Sequence, residues 1–292
     1  MNSKIISQFS QHAESYDKNA LVQRLAAQML ALFIAEELET AQHTSAMMFK
    51  QFCLTPEAEA QQINCRTILE IGSGTGLLTE LLLDLFPESL IVCIDGSKEM
   101  LSKLKRKLQQ RPKQAEIEAY ILDCNRLSEF LLPEEASFDL IVSSFTLQWM
   151  RDLPLTIRSL TNLLAPGGRL IFSVPGQASF REWKEACRIA ELPFTGNALP
   201  EFSELQECCQ QLKLQGTIKE HDLTQQFDSA RQFFQTLKQT GASERLYLDT
   251  NAPEPTTLSA RQMRMLIKTW DSLFKGRPVE ATYQVISACL SK

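Results

Sequence analysis

Leu69-Glu70-Ile71-Gly72-Ser73-Gly74-Thr75-Gly76 joins a short apolar run to a stretch of helical apolar spacing, Leu77–Phe86, through three glycines in five residues. Glycines at a strand-to-helix turn let the backbone adopt positive φ and lie close to a ligand. The helix that follows offers its N-terminus to an anionic group. The spacing is Gly-x-Gly-x-Gly. A dinucleotide fingerprint needs its last glycine at position 77, which is Leu77, so a pyrophosphate ligand is disfavoured. The turn opens a series. Thr67–Ile71, Leu90–Ile94, Glu118–Leu122, Asp139–Ser143 and Arg169–Val174 read as strands, with helices near 77–86, 98–110 and 154–164 between them. Ser97 stands where an N-cap belongs, and Pro166-Gly167-Gly168 reads as a turn before the fifth strand. Strands alternating with helices make βαβ units, a parallel sheet and right-handed crossovers.

In a doubly wound sheet the ligand lies beyond the carboxyl ends of the strands. Asp95 ends the second strand, Asp123-Cys124 the third and Ser143-Ser144 the fourth, so these ends face one crevice. A carboxylate at Asp95 accepts hydrogen bonds from both hydroxyls of a ribose. Asp123 is placed to read an adenine amino group, and Met100 to cover the ring face. Upstream, Leu21, Leu25, Met29, Leu32 and Phe33 predict one helix over 17–39, and residues 40–66 read as a polar loop or small insertion. Downstream, helices near 180–190, 203–214 and 260–274 and strands near 217–227 and 282–290 complete the sheet and add a helical cap. The expected organisation is an N-terminal helix and insertion over 1–66, a nucleotide-fold core over 67–174, and cap plus sheet completion over 175–292.

Composition narrows the function. A chain of 292 residues, 44% hydrophobic and 22% charged, has the length and content for a folded core. Its net charge of −5 argues against binding nucleic acid or anionic membrane through overall charge. Leu25–Ala35 is too short to span a bilayer and is interrupted by Gln28, and the first residues lack a signal-peptide pattern. Eight cysteines with no Cys-x-x-Cys pair read as reduced thiols of a cytoplasmic protein, and three well-separated histidines offer no zinc-ligand pattern.

Glu70-x-Gly72-x-Gly74-x-Gly76 with Asp95, Phe138-Asp139-Leu140-Ile141 and Leu164-x-Pro166-Gly167-Gly168-x-Leu170 resembles the class I S-adenosylmethionine-dependent methyltransferases over residues 67–174. The resemblance implies an α/β, doubly wound, Rossmann-like sheet of seven mostly parallel strands with one antiparallel strand. It implies that Gly72, Ser73 and Gly74 line the methionine part of S-adenosylmethionine, Asp95 the ribose and Asp123-Cys124 the adenine. Glu70, Gly76, Gly96, Met100, Ser143 and Ser144 complete the expected cofactor set.

A second resemblance covers most of the chain. It rests on Phe9-x-x-x-Ala13-x-x-Tyr16-Asp17 followed by Ala20-x-x-Gln23-Arg24-x-x-Ala27, and on Ser143-Ser144-Phe145-Thr146-Leu147-Gln148-Trp149. It rests also on Lys238-Gln239-Thr240-Gly241-Ala242, Leu258-Ser259-x-Arg261-Gln262-Met263 and Thr282-Tyr283-Gln284. These stretches are similar to the malonyl-acyl-carrier-protein O-methyltransferases of biotin synthesis. Ser144 stands where Asn is commoner, and the 40–66 segment is longer than is usual there. The resemblance implies methyl transfer from S-adenosylmethionine to the free carboxylate of a malonyl thioester on acyl carrier protein, leaving S-adenosylhomocysteine. A carboxylate of pKa about 4 is already ionised at neutral pH, so neither an acid/base residue nor a metal is expected. Tyr16, Gln148, Trp149 and Tyr283 are the acceptor-side candidates. Tyr16 and Arg24 alternatively close the N-terminal helix over the cofactor carboxylate.

An acidic carrier calls for a basic face, and two stretches offer one. Lys103, Lys105, Arg106, Lys107, Arg111 and Lys113 crowd the second helix, more simply read as a wet surface. Arg181, Lys184 and Arg188 recur at i, i+3 and i+7 in the cap, which is the better-placed stripe. Two other readings compete: a methyltransferase of another small acceptor, such as a quinone precursor or free acid, and a cofactor-binding assembly factor resembling the complex I assembly family. The Gln148-Trp149 pair and the Leu258–Tyr283 stretch favour the biotin-type reading.

Overall fold

The structure is a computed structural model and describes residues 3–38, 65–111, 116–129, 137–243 and 257–292. The expected insertion, apart from Cys65 and Arg66, lies outside the described residues, as does Lys113. Seven strands form one sheet: β1 Thr67–Ile71, β2 Leu90–Asp95, β3 Glu116–Ile121, β4 Phe138–Ser144, β5 Leu164–Pro175, β6 Gln215–Phe227 and β7 Val279–Ser291. Their order is β3-β2-β1-β4-β5-β7-β6. The first five pair in parallel, and β7 runs antiparallel to both β5 and β6. Between β1 and β4 the winding reverses, which opens a crevice at their carboxyl ends.

Period-two alternation sorts the strand side chains into two cores. Leu69, Ile71, Val92, Ile94 and Ile141 join Ile157 of α5 (Leu153–Asn162) and Leu205 of α7 (Phe202–Gln211) on one face. Ile68, Ile91, Cys93, Leu140 and Val142 meet α2 (Leu21–Glu37), α3 (Thr79–Leu85) and α4 (Lys98–Leu108) on the other. A parallel sheet must be covered on both faces, so its strands are apolar in both registers. Ser97 caps α4 as expected: its hydroxyl accepts from the Met100 N–H at 3.1 Å. A third core builds the cap, where Trp183 of α6 (Arg181–Ile189), Phe233 of α8 (Ala230–Gln239) and Trp270 of α9 (Ala260–Leu273) pack on Tyr283 and its neighbours in β7. Pro175 pairs with Val285, so this half of β7 and the cap on it stand beside the carboxyl ends of the parallel strands.

Three expectations change. The single helix over 17–39 is two helices, α1 (Ser3–Asn19) and α2, which meet at Ala20 with φ −89° and ψ 46°. No Pro or Gly marks the break. The Ala20 N–H still donates to the Tyr16 carbonyl, and the Arg24 guanidinium crosses the bend to the Asp17 carbonyl at 2.5 Å. Pro166-Gly167-Gly168 is not a turn between elements. The register against β4 slips between Phe138 and Leu140, which puts these residues in an irregular first part of β5, with Gly167 at φ 78°. The spacing predicted no helix over 230–239, where Ser229 caps α8 by accepting from the Gln232 N–H.

Candidate active site

The glycine turn is tied to the end of β2. The Gly72 and Ser73 N–H groups both donate to the Ile94 carbonyl, at 2.7 and 3.1 Å. The Asp95 carboxylate then fixes the turn's far side. One oxygen accepts from the Gly74 N–H at 2.9 Å and the other from the Ser97 N–H at 2.7 Å. Burial pushes the Asp95 carboxyl up to about 6, against the pull of those two N–H groups. Glu70, on the last turn-proximal stretch of β1, is 2% exposed and accepts from the Thr79 hydroxyl at 2.6 Å. Burial pushes its carboxyl up to about 7.

A cleft of about 840 Å³ lies over this turn. Its floor is Gly72–Thr75, Glu70, Asp95 and Met100, and Ser144, Phe145 and Thr146 close it on the β4 side. Ile6, Phe9 and Tyr16 of α1 form the roof. The roof is held by polar contacts. Asp17 accepts from the Thr75 hydroxyl at 2.6 Å and pairs with Lys107 at 2.9 Å and Lys103 at 3.5 Å. Lys103 also donates to the Ala13 and Glu14 carbonyls, and Arg106 pairs with Glu14. Burial, with the Asp95 and Asp17 charges nearby, holds the Tyr16 hydroxyl far above its ordinary value, so it stays neutral.

The cleft continues into a second chamber of about 1030 Å³, bounded by residues of the cap. Gln23, Phe145, Gln148, Trp149 and Ala242 border both spaces. Phe180, Trp183, Phe234 and Tyr283 give the chamber aromatic walls. Tyr283 is the one ionisable side chain among its described lining residues, and burial holds its hydroxyl far above the ordinary value. At the junction Phe145 sits at φ 49°, an uncommon place for a bulky side chain. Its carbonyl accepts from the Gln148 amide nitrogen at 2.7 Å. That bond fixes which way the amide points, so Oε1 is the free end. Gln148 Oε1 and Ser73 Oγ are both buried without a partner among the described residues.

The sequence-based candidates divide accordingly. Glu70, Gly72, Ser73, Gly74, Asp95, Met100, Ser144 and Tyr16 border the cleft; Gln148 and Trp149 border cleft and chamber, and Tyr283 the chamber alone. Six others lie outside the cleft lining. Arg24 is exposed and closes the α1–α2 bend instead. Gly76, at φ 90°, lets the turn pack on Leu104 of α4, and Gly96 makes room for Ile6 of α1. The Ser143 hydroxyl donates to the Ile71 carbonyl within the sheet. Cys124 is buried in the core, and Asp123 accepts from the Asn125 backbone and side-chain amides.

Both expected basic faces are already largely engaged, exposed Lys105 excepted. Lys103, Arg106, Lys107 and Arg111 pair with Glu14, Asp17, Glu80 and Asp84, which fastens α1 and α3 to α4. In the cap, Arg181 pairs with Asp222 and Glu182, Arg188 forks onto Glu185, and Lys184 donates to the Gln177 carbonyl. Reading only the positive charges along a helix missed these partners: Glu14, Asp17, Glu80, Asp84 and Asp222 come from other elements, and Glu182 and Glu185 from α6 itself. Sequence reasoning also gave no role to Gln23, Phe145 and Thr146, though all three sit in motifs it had singled out.

Comparison with known proteins decides the family. The sequence profile of a family described as a methyltransferase domain matches residues 69–170. The malonyl-[acyl-carrier protein] O-methyltransferase of Priestia megaterium is 30% identical over 251 residues, covering 80% of this chain and 79% of that protein. The chain belongs to the malonyl-[acyl-carrier protein] O-methyltransferase family. The Bacillus cytotoxicus member is 27% identical over 293 residues, covering 97% of this chain and 90% of that one. The YcgJ protein of Bacillus subtilis shares the fold, with a TM-score of 0.51 at 15% identity over 78% of this chain and 92% of that chain. The enzyme is therefore an S-adenosylmethionine-dependent O-methyltransferase, and the cleft fits that cofactor. A half-buried acid at the end of β2 suits a ribose, the space beside Gly74 is open to 4 Å, and the orphaned Ser73 hydroxyl awaits a polar partner. No helix among the described residues is long and apolar enough to cross a membrane.

Proposed function

We propose that the enzyme methylates the free carboxylate of a malonyl thioester carried on an acyl carrier protein, giving the methyl ester that enters biotin synthesis. The observation that carries this reading is the chamber beside the cofactor cleft. Among its described lining residues there is no Asp, Glu, His, Lys, Arg or Cys, and its tyrosine is held neutral. An alcohol, phenol or amine acceptor needs a group to take its proton. A carboxylate does not, because it is ionised at neutral pH. The family's named substrate is of that kind.

When bound, S-adenosylmethionine supplies a methyl group activated on a positively charged sulfur. Gly72, Ser73 and Gly74, with Asp95 and Met100, would hold it on the floor of the cleft, and Tyr16 and Phe9 would close over it from α1. Phe180, Trp183 and Tyr283 would keep water from the acceptor carboxylate and so leave its charge unscreened beside the methyl donor. Trp149, with its ring edge-on to Phe9 at 5.8 Å, and Gln148 stand where the two spaces meet and set the approach of the acceptor oxygen. The methyl group would pass from the sulfonium to the carboxylate oxygen, the C–S bond electrons leaving on neutral S-adenosylhomocysteine, and no general base would be needed.

Mass spectrometry of malonyl carrier protein, after incubation with enzyme and S-adenosylmethionine, tests the reading. A gain of one methyl group, abolished by Asp95→Ala, is expected. Enzyme that binds the cofactor normally yet leaves malonyl carrier protein unmodified overturns it.

A further inference from the structure

With most cations of the α6 stripe and of the α4 cluster engaged, α9 carries three exposed cations with no partner among the described residues. Arg261, Arg264 and Lys268 recur at i, i+3 and i+7, so they share one face of the helix. All three are exposed. None has an ion pair or hydrogen bond among the described residues. Met265, 44% exposed, lies beside them. The opposite face of the same helix is fixed: Leu266 and Trp270 are fully buried in the cap core, and Met263 borders the acceptor chamber. One helix thus presents an unpaired cationic stripe outside and a wall of the chamber inside.

That stripe stands out in a chain whose net charge is −5. Elsewhere in the cap, Arg181 and Arg188 are neutralised within the fold, whereas these three point to an outside anion. Arginine and methionine side by side are the residue types that protein interfaces enrich. We propose that α9 is the docking helix for the acidic carrier protein, with Arg261, Arg264 and Lys268 facing its carboxylates while the thioester arm passes Met263 into the chamber. The inference rests on the malonyl-carrier reading above and adds the surface that reading lacks. Exposed charges of this kind act on encounter and on salt dependence, and so on KM, more than on the chemical step.

The test compares wild type with Arg261→Glu/Arg264→Glu/Lys268→Glu and with the milder triple Gln variant, on malonyl carrier protein and on malonyl-pantetheine. Binding of unloaded carrier protein is measured alongside. The Glu variant is expected to raise KM for the carrier-bound substrate at least tenfold, with the Gln variant between. The kcat, the kinetics on malonyl-pantetheine and the melting temperature stay as in wild type. The wild-type KM rises with salt, and the variants' KM responds less. Reversal of the already paired Arg188 is expected to change little. An unchanged carrier KM, an equal loss on both substrates, or binding of anionic phospholipid vesicles in place of the carrier overturns the proposal. Methylation of malonyl-pantetheine without any carrier binding sinks the docking helix and leaves carboxyl methylation standing. Carrier binding that needs α9, without methylation of either thioester, does the reverse. Neither binding nor methylation removes both.

Discussion

Two glycines of the same turn carry different duties, and substitution separates them. At Gly72 a Cβ would fall 2.2 Å from the Thr146 hydroxyl at φ 71°, so Gly72→Ala must displace the segment after β4. At Gly74 a Cβ meets nothing within 4 Å, at φ 55°, which costs an L-residue about 1 kcal/mol. Gly74→Ala is expected to melt within a few degrees of wild type yet to lose at least tenfold in S-adenosylmethionine affinity, because the methyl occupies the floor of the cleft. Gly72→Ala is expected to lose both stability and affinity. Calorimetric melting with titration of the cofactor reads the two apart, and equal melting losses would contradict the assignment. Asp95 makes the cleft sensitive to acid. Its carboxyl, pushed up to about 6 by burial, is ionised above that pH and neutral below it. A neutral carboxyl accepts ribose hydroxyls more weakly, and hydrogen bonds to a charged group contribute about 1.5–3 kcal/mol. Cofactor affinity measured between pH 5 and 8 is therefore expected to fall as the pH drops through about 6. Asp95→Asn is expected to bind weakly throughout, with that step removed.

At the scale of elements, α1 is a roof fastened by charge. Asp17 is half-buried, and burial alone would raise its carboxyl; the Thr75 hydroxyl and the Lys107 and Lys103 ammonium groups hold it below the usual range. A carboxyl lowered by folding contributes stability at neutral pH that is lost as the pH falls through its lowered value. Asp17→Asn is expected to loosen α1 by about 1 kcal/mol, since both lysines are partly exposed. Hydrogen exchange over residues 3–19 should quicken and cofactor release with it; unchanged exchange there would show that apolar contacts of Ile5 and Phe9 suffice. The strands β1 to β5 were legible in the sequence because β-branched runs, a glycine turn and the Ser97 cap are local signals. The Ala20 bend was not, because alanine is a good helix former and the bend is held by Arg24 from the next helix. For the same reason the floor of the cleft was legible and its roof only partly so. Glycines and strand-end acids announce themselves, whereas the pairing of Lys103 and Lys107 with Asp17 depends on residues far apart in the chain meeting.

Across the whole molecule, the enzyme keeps a buried carboxyl, Glu70, and a half-buried one, Asp95, on the floor of its cofactor cleft, and this ties stability to function. Glu70 is pushed up to about 7 and Asp95 to about 6, burial being the first cause in both, and the Asp95 charge adds to the rise at Glu70. A carboxyl raised by folding contributes its full stability below the unfolded value of about 4 and loses it as the pH rises through the folded value. The unliganded enzyme is thus expected to become less stable from pH 5 to 8, by on the order of 2 kcal/mol or more from Glu70 alone. Glu70→Gln leaves an acceptor for the Thr79 hydroxyl and removes the charge, so its melting temperature should vary less across that window. A cation bound above these groups reverses the trend, because it favours their charged forms, and a ligand that binds only the folded state raises its stability. The gain in melting temperature from S-adenosylmethionine is therefore expected to grow with pH between 5 and 8 in wild type and to flatten in Glu70→Gln. A gain that shrinks with pH would mean that the two acids do not face the cationic part of the cofactor.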